Sequence, residues 1–402
     1  MRRIASILVA AAFLGSLAGS ALAACAPPGP AGFPKWLNGL KKEAASMGVS
    51  PRGLAVLDHL QYDARVIQRD RSQSTFALTF LQFQAKLISA NRMAKAQSLL
   101  KKHAALFAKV QKKYGVPGAV LVAFWGLETD FGSYMGDFKT IQSLATLAYD
   151  CRRPEKFRPQ VIAALQIIDR GDMSEDQMVG AWAGEIGQVQ FLPADFLESG
   201  VDADGDGRVD LIGSLNDIMF SAANLLKTHG WQANQPWLQE VEVPQELPWD
   251  QADLAISLPR AQWAKWGVTM RGGAPVKADK VPVALLLPMG RHGPAFFAYY
   301  NFTKVYLKWN ESLTYALTAG YFATRLSGAP PVEQGNGPVD ALDYKQIIEL
   351  QKALAKRGFD VGEIDGKLGS QTRAAVKQMQ IKFGMPADSW PTPDFLAKLK
   401  RS

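Results

Sequence analysis

The sequence predicts a mainly α, α+β protein in two parts: a large helical body with a small strand-containing subregion, then a small C-terminal domain. Three observations carry that expectation. Apolar residues recur every three to four positions through residues 33–47, 75–87, 93–114 and 312–325, the period of a helix with one buried face. A stretch rich in proline and tryptophan, 241–288, breaks the period, and the apolar run 281–287 inside it reads as a strand. A run of turn and polyproline formers, 328–338, has no apolar period and reads as a linker. The boundaries that follow are a leader at 1–24, a body at 33–327, a linker at 328–340 and a second domain at 341–400 built from helical patterns around a glycine-rich turn.

The leader is read from Arg2 and Arg3, which precede an apolar run over 4–23 ending in small residues, the layout of a signal peptide. The 402 residues are 48% hydrophobic and 20% charged, a globular balance that excludes a wholly disordered, collagen-like or disulfide-packed chain. The formal charge is +8 and falls to about +6 without Arg2 and Arg3. No block of five or six basic residues concentrates it, so nucleic acid is not implied; an anionic envelope polymer is the compatible partner. No later apolar stretch reaches the ~18–20 residues that span a bilayer. An exported, periplasmic protein is therefore expected, with an outer-membrane lipoprotein as the alternative.

That alternative turns on Cys25. Ala21-Leu22-Ala23 suits ordinary cleavage, yet Leu22-Ala23-Ala24-Cys25 resembles a lipobox, in which Cys25 carries a lipid anchor. Cys151 is the second cysteine, and an even pair in an oxidising compartment suits a Cys25–Cys151 disulfide. Closing so long a loop is worth about 4–5 kcal/mol in the chain-entropy picture.

Three constellations could carry chemistry. Pro117 suits the first turn of a helix on which Val120, Phe124, Leu127 and Phe131 share a face, with Gly132 as its stop. Glu128 sits beside that stripe, flanked by Phe124, Trp125 and Leu127. Partial desolvation there would raise its pKa toward that of a general acid; a solvated glutamate near a helix end is the plainer reading. The second is Gly180-Ala-Trp-Ala-Gly-Glu-Ile-Gly-Gln-Val-Gln-Phe-Leu-Pro193, whose glycines permit close backbone approach. Gln188 and Gln190 could bond hydroxyl or amide groups there, and Trp182 and Phe191 suit sugar faces. Tight packing explains this stretch equally well. The third, Asp202-Ala-Asp-Gly-Asp-Gly-Arg-Val-Asp-Leu-Ile-Gly213, matches a calcium loop at Asp202, Asp204, Asp206 and the Arg208 carbonyl. Its twelfth position is Gly213, so Asp217 is the candidate for the last ligand. The four scattered histidines, and the absence of HExxH, CxxC, GxSxG or a phosphate-binding glycine loop, argue against metallohydrolase and nucleotide chemistry.

The order Gly126-Leu-Glu-Thr-Asp-Phe-Gly132, Gly180 to Pro193, calcium-type loop, Trp309-Asn-Glu-Ser-Leu-Thr-Tyr315 resembles the membrane-bound lytic transglycosylase B family. The resemblance implies a lysozyme-like body that cleaves the β-1,4 bond between N-acetylmuramic acid and N-acetylglucosamine in peptidoglycan. The muramic acid's own 6-hydroxyl then closes a 1,6-anhydro ring. It assigns Glu128 the role of acid and then base, with no cofactor required for the chemistry and Ca²⁺ as a structural ion. It places Arg152, Arg153, Gln190, Phe191, Asn310 and Tyr315 in the glycan cleft. This chain departs from relatives at Ala181 for a serine, and at Trp309 and Lys156 for tyrosines. Glu185 stands where some relatives have alanine and reads as a surface or ion-paired glutamate. The last 60 or so residues resemble a three-helix peptidoglycan-binding domain through Leu350-Gln351, Leu354, Gly358-Phe359, Gly362, Asp365-Gly-Lys-Leu-Gly369, Thr372, Ala375-Val376 and Gln380. A monomer is expected. A lysozyme-type hydrolase, with Glu185 or Asp130 orienting water, and a non-catalytic wall adaptor are the competing readings.

Overall fold

Helices α1 (Phe33–Ser46), α2 (Pro51–Ala55), α3 (Ala64–Arg71) and α4 (Phe80–Leu87) open the fold of this computed structural model, which describes residues 29–71 and 78–402. The leader at 1–24 and Cys25 lie outside the described residues. The expected helix over 75–87 begins at Phe80, because Thr79 and Gln82 form a reciprocal capping box there. The single helix expected over 93–114 is two, α5 (Ala90–Lys102) and α6 (Ala104–Tyr114), divided at His103. One non-helical residue barely shifts the apolar phase, so periodicity does not register the bend.

Next comes α7 (Gly118–Thr129), with Pro117 preceding it as its cap. Nine of its twelve residues are buried, so it is apolar all round instead of striped. Such a helix belongs in the middle of a core. The strand β1 (Phe138–Lys139) follows, then α8 (Thr140–Tyr149), α9 (Pro154–Arg170), β2 (Val179–Gly180), α10 (Pro193–Ser199) and α11 (Leu215–Thr228). β1 and β2 pair antiparallel, Phe138 opposite Gly180.

The proline- and tryptophan-rich region is a five-stranded antiparallel sheet, ordered β4-β6-β7-β3-β5. Its strands are β3 (Leu238–Glu242), β4 (Leu258–Pro259), β5 (Thr269–Met270), β6 (Pro282–Leu286) and β7 (Ala295–Ala298), with α12 (Arg260–Lys265) after β4. Only β6 is a long enough apolar run to be legible as a strand. The others are shorter or, like β3, carry polar and charged residues, and pairing holds them: Leu238 opposes Ala298, and Ala284 opposes Ala298 from the other side. One face covers its own core of Val241, Trp249, Trp263, Val283, Leu285 and Phe297. A π-helical turn (Asn301–Tyr306) leads into α13 (Leu307–Trp309) and α14 (Leu313–Leu326), which packs along α7.

The C-terminal unit is α15 (Tyr344–Ala355), α16 (Ser370–Lys382) and α17 (Pro393–Arg401), around Leu350, Leu354, Val376, Phe395 and Leu399. It is docked on the body. Arg373 is buried and donates to the backbone oxygens of Leu287, at 2.6 Å, and Pro288, at 3.2 Å, while Lys377 meets Asp253 at 2.8 Å. The segment 328–340 lies against the body as a strap. The Val332 N–H donates to Tyr321 Oη at 2.9 Å, Glu333 pairs with Arg271, and the Asn336 N–H donates to the His292 carbonyl.

Candidate active site

α7 delivers Glu128 in its last turn to the wall of a groove of about 940 Å³, which Glu128, Tyr134, Arg153, Lys156, Trp182, Glu185, Gln190, Asn310 and Tyr315 help to line. The helix stops at Asp130, two residues before the expected Gly132, because Asp130 and Phe131 both take left-handed backbone conformations (φ 49° and 63°). Two aromatic side chains hold the Glu128 carboxyl. Trp309, at the end of α13, stacks on Phe124 with centroids 4.2 Å apart and donates its Nε1–H to Oε1 at 3.0 Å. Tyr315, in the first turn of α14, donates its hydroxyl to the same Oε1. The segment between them is organised by short-range caps: Ser312 caps α14 through the Tyr315 N–H, and the Ser312 N–H donates to Asn310 Oδ1 at 2.9 Å.

Burial pushes the Glu128 carboxyl up to about 7; the Tyr315 and Trp309 hydrogen bonds pull against that rise, and the nearby Glu185 adds to it. Burial and the adjoining Glu128 drive Tyr315 well above the usual phenol range, so it stays a donor. Because both donors point at Oε1, a proton on this carboxyl sits on Oε2. The arrangement is a carboxyl that keeps a substantial protonated fraction up to about pH 7, with one oxygen held and the other available.

The glycine-rich stretch forms the adjoining wall. A Cβ on Gly180 would lie 1.7 Å from the Glu185 carbonyl, so only glycine fits where β2 turns back over the loop. Gln188 is consumed by the scaffold: Oε1 accepts from Trp125 Nε1 at 2.7 Å and Nε2 donates to the Ile212 carbonyl at 2.6 Å. Gln190 lines the groove and donates to the Met135 carbonyl at 3.2 Å. Phe191 is 1% exposed and packs against Trp309, which makes it a support for the site instead of a sugar-facing ring. Glu185, expected at the surface or in an ion pair, is half-buried in the groove wall. It has no ion pair among the described residues, and its Oε2 is shut off from solvent without a hydrogen-bond partner. Burial pushes it up as well.

Arg152 and Arg153 flank the groove and share the buried Asp70. Arg152 donates to Asp70 Oδ2 at 2.7 Å and reaches across to Glu363 of the C-terminal unit, while Arg153 also pairs with Asp70. Arg153 lines the groove and Arg152 does not, since its guanidinium is spent bridging two parts of the chain. The turn Asp365, Lys367, Leu368, Gly369 forms part of the groove's far side, which motif reading had left to a separate module. Trp309, read from sequence only as a departure from relatives, is the second donor on Glu128. Its signal was present in its place three residues after the turn 301–306 and six before Tyr315.

In the acidic loop, carboxylate oxygens of Asp202, Asp204 and Asp217 converge within 4.8 Å of one another, and Asp217 is fully buried. Three hard oxygen donors at that separation fit a divalent cation of the Ca²⁺ type. Asp206 lies outside this cluster and pairs with Arg208 at 3.3 Å. Cys151 lies at the turn into α9; the candidate partner Cys25 is outside the described residues.

The molecule is a mainly helical body with a buried carboxyl in the wall of a groove and a docked three-helix unit, and comparison gives this architecture its family. Residues 32–324 match the transglycosylase SLT domain and residues 343–399 a putative peptidoglycan-binding domain. The chain belongs to the SLT-domain transglycosylases, within the lytic transglycosylase B group. It is similar to SltB3 from Pseudomonas aeruginosa, whose crystal structure in complex with NAG-anhNAM-pentapeptide has a TM-score of 0.83 at 38% identity, covering 92% of this chain and 99% of that one. It is 27% identical over 153 residues to the membrane-bound lytic murein transglycosylase B of Escherichia coli (strain K12). That match spans 38% of this chain and 42% of the relative, well under half of it. The fold is also that of the Escherichia coli lytic transglycosylase Slt35 in complex with calcium: TM-score 0.63, 22% identity, covering 72% of this chain and 92% of that one.

Proposed function

We propose that this protein is a peptidoglycan lytic transglycosylase in which Glu128 acts first as acid and then as base. The observation that carries the reading is the buried Glu128 carboxyl on the groove wall, with Trp309 and Tyr315 both bonded to Oε1. In the first step the Oε2 proton passes to the glycosidic oxygen as its bond to C1 of N-acetylmuramic acid breaks. The carboxylate so formed is stabilised by the two donors already in place, with no reorganisation needed at the moment of reaction. In the second step the 6-hydroxyl oxygen of the same sugar bonds to C1 and its proton returns to Glu128, closing the anhydro ring. An intramolecular nucleophile needs no second carboxylate to hold a water.

Asn310 uses Oδ1 internally, which leaves its amide hydrogens for the sugar or its N-acetyl group. Gln190 and Arg153 line the same groove, Arg153 carrying the charge for lactyl or peptide carboxylates. Arg152 would serve indirectly, by tying Glu363 and Asp70 together. Asp202, Asp204 and Asp217 would hold a structural Ca²⁺ that pins the loop before α11. Among the described residues no helix is long and apolar enough to cross a membrane. The location we propose is periplasmic, with Cys25 either bridged to Cys151 or lipidated, and the partner is the glycan strand itself. Glu128→Gln should remove muropeptide release from purified sacculi while leaving the protein folded and no less stable than the wild type; wild-type-like release by that variant would overturn the reading.

A further inference from the structure

The loop that joins α7 to β1 is held from several sides, yet its most prominent side chain is held by almost nothing. Thr129 Oγ1 donates to the Gln188 carbonyl at 2.6 Å and accepts from the Gly132 N–H at 2.9 Å, and the Tyr134 N–H donates to the Thr129 carbonyl at 3.0 Å. Lys95 reaches the Asp130 carbonyl at 3.0 Å and Ser133 Oγ at 2.9 Å, and Arg92 bonds Asp130 Oδ1 at 3.0 Å. Further along, Gln190 donates to the Met135 carbonyl, and Gly136 sits so close to β2 that a Cβ would come within 2.0 Å of the Gly180 oxygen. Asp130 and Phe131 keep left-handed conformations that cost non-glycine residues free energy, and this net of bonds over-determines them. In the middle stands Tyr134, 65% exposed, with a single long contact of 3.5 Å from its hydroxyl to Asp137. It lines the same groove as Glu128. A large ring displayed in water on a rigid backbone loses little conformational freedom when a ligand covers it, and gains the apolar contact it lacks.

We propose that Tyr134 is a stacking platform for a pyranose ring of the bound glycan, taking the apolar C–H face of an N-acetylated sugar near the bond that Glu128 cleaves. This rests on the glycan-cleaving reading above. The hydroxyl, weakly tied to Asp137, remains in water at the groove rim, as suits a side chain with an apolar body and a polar tip. Among the described residues the ring joins none of the buried clusters, and the loop is fixed by backbone and neighbouring side chains.

The test measures binding in the Glu128→Gln background, so that turnover does not intervene. The probe is the soluble tetrasaccharide of alternating N-acetylglucosamine and N-acetylmuramic acid, followed by calorimetry. Tyr134→Ala is expected to weaken binding roughly tenfold, and Tyr134→Phe and Tyr134→Trp to keep it within about twofold. All three should melt with the parent. Binding by Tyr134→Ala equal to the parent's would overturn the proposal, as would loss in Tyr134→Phe as large as in Tyr134→Ala, since that would assign the effect to the hydroxyl. Absence of tetrasaccharide binding by the Glu128→Gln parent, together with absence of muropeptide release by the wild type, would overturn the functional reading and this one with it.

Discussion

Nε1 of Trp309 lies 3.0 Å from Oε1 of Glu128, the oxygen that the Tyr315 hydroxyl also meets, so a single carboxylate oxygen collects both donors and the other is left bare. This asymmetry assigns the acid proton to one atom. It also makes Trp309 a positioning residue: its ring is fixed by stacking on Phe124, and its N–H fixes the carboxyl.

Trp309→Phe keeps much of the stacked ring and removes the donor. The bond favours the charged carboxylate, so losing it moves the Glu128 pKa further up from about 7. The alkaline limb of the pH–rate profile should move to higher pH and kcat should fall about tenfold, as the developing carboxylate loses one of its two donors. Tyr315→Phe should act in the same direction. An unmoved alkaline limb would count against this role.

Burying Glu128 is a cost whenever it is ionised. Its folded-state value of about 7 stands above the ordinary 4.5, so the folded state binds the proton more tightly than the unfolded chain does. The penalty is absent below the unfolded value, grows as pH rises from about 4.5 to about 7, and is full above that. Glu128→Gln should therefore stabilise the protein at pH 8, by up to about 3 kcal/mol, and much less at pH 4. Thermal melts of the two proteins at both pH values check the sign.

Asp217 accepts from the Ala203 and Asp210 N–H groups, at 2.8 and 2.9 Å, while converging with Asp202 and Asp204. Calcium at a hundredfold excess over its Kd should raise stability by about 2.7 kcal/mol, a gain that EDTA removes. Asp217→Asn should lower the melting temperature and abolish the calcium dependence, measured by melts with and without the ion.

Arg373 supplies donors to two buried backbone oxygens and is itself pulled down to about 10 by its burial. Arg373→Ala would leave the Pro288 oxygen unsatisfied and the Leu287 oxygen with only the long bond from the Gly290 N–H, at a cost of about 1–3 kcal/mol. Loosening of the C-terminal unit should appear as faster proteolysis within 328–340 and as a larger radius of gyration in solution scattering.

Much of this molecule was legible before its structure. The three-to-four spacing found the helical body; the apolar neighbours of Glu128 raised desolvation as one reading beside a solvated glutamate, and the structure buries it. Distances across the chain were not legible. Phe191 is an aromatic in a sugar-friendly motif, but its side chain faces inward, since residues 186 and 191 bridge to each other and close the loop on itself. Gln188 and Gln190 look alike in sequence and differ because Trp125 and Ile212 claim the first. Arg152 looked like a carboxylate binder for substrate and binds carboxylates of its own chain, because Asp70 and Glu363 come from 82 and 211 residues away. The turn-rich segment 328–338 reads as a linker. Composition reports a lack of regular structure there, and it is silent on the hydrogen bonds to Tyr321 and His292 and from Arg271 that strap the segment down.

The central claim is that the carboxyl held by Trp309 and Tyr315 expels the leaving sugar without water as nucleophile. Mass spectrometry of the soluble products from purified peptidoglycan tests it most directly. The account predicts 1,6-anhydromuramic acid ends from the wild type and no soluble product from Glu128→Gln; reducing muramic acid ends in their place would contradict it.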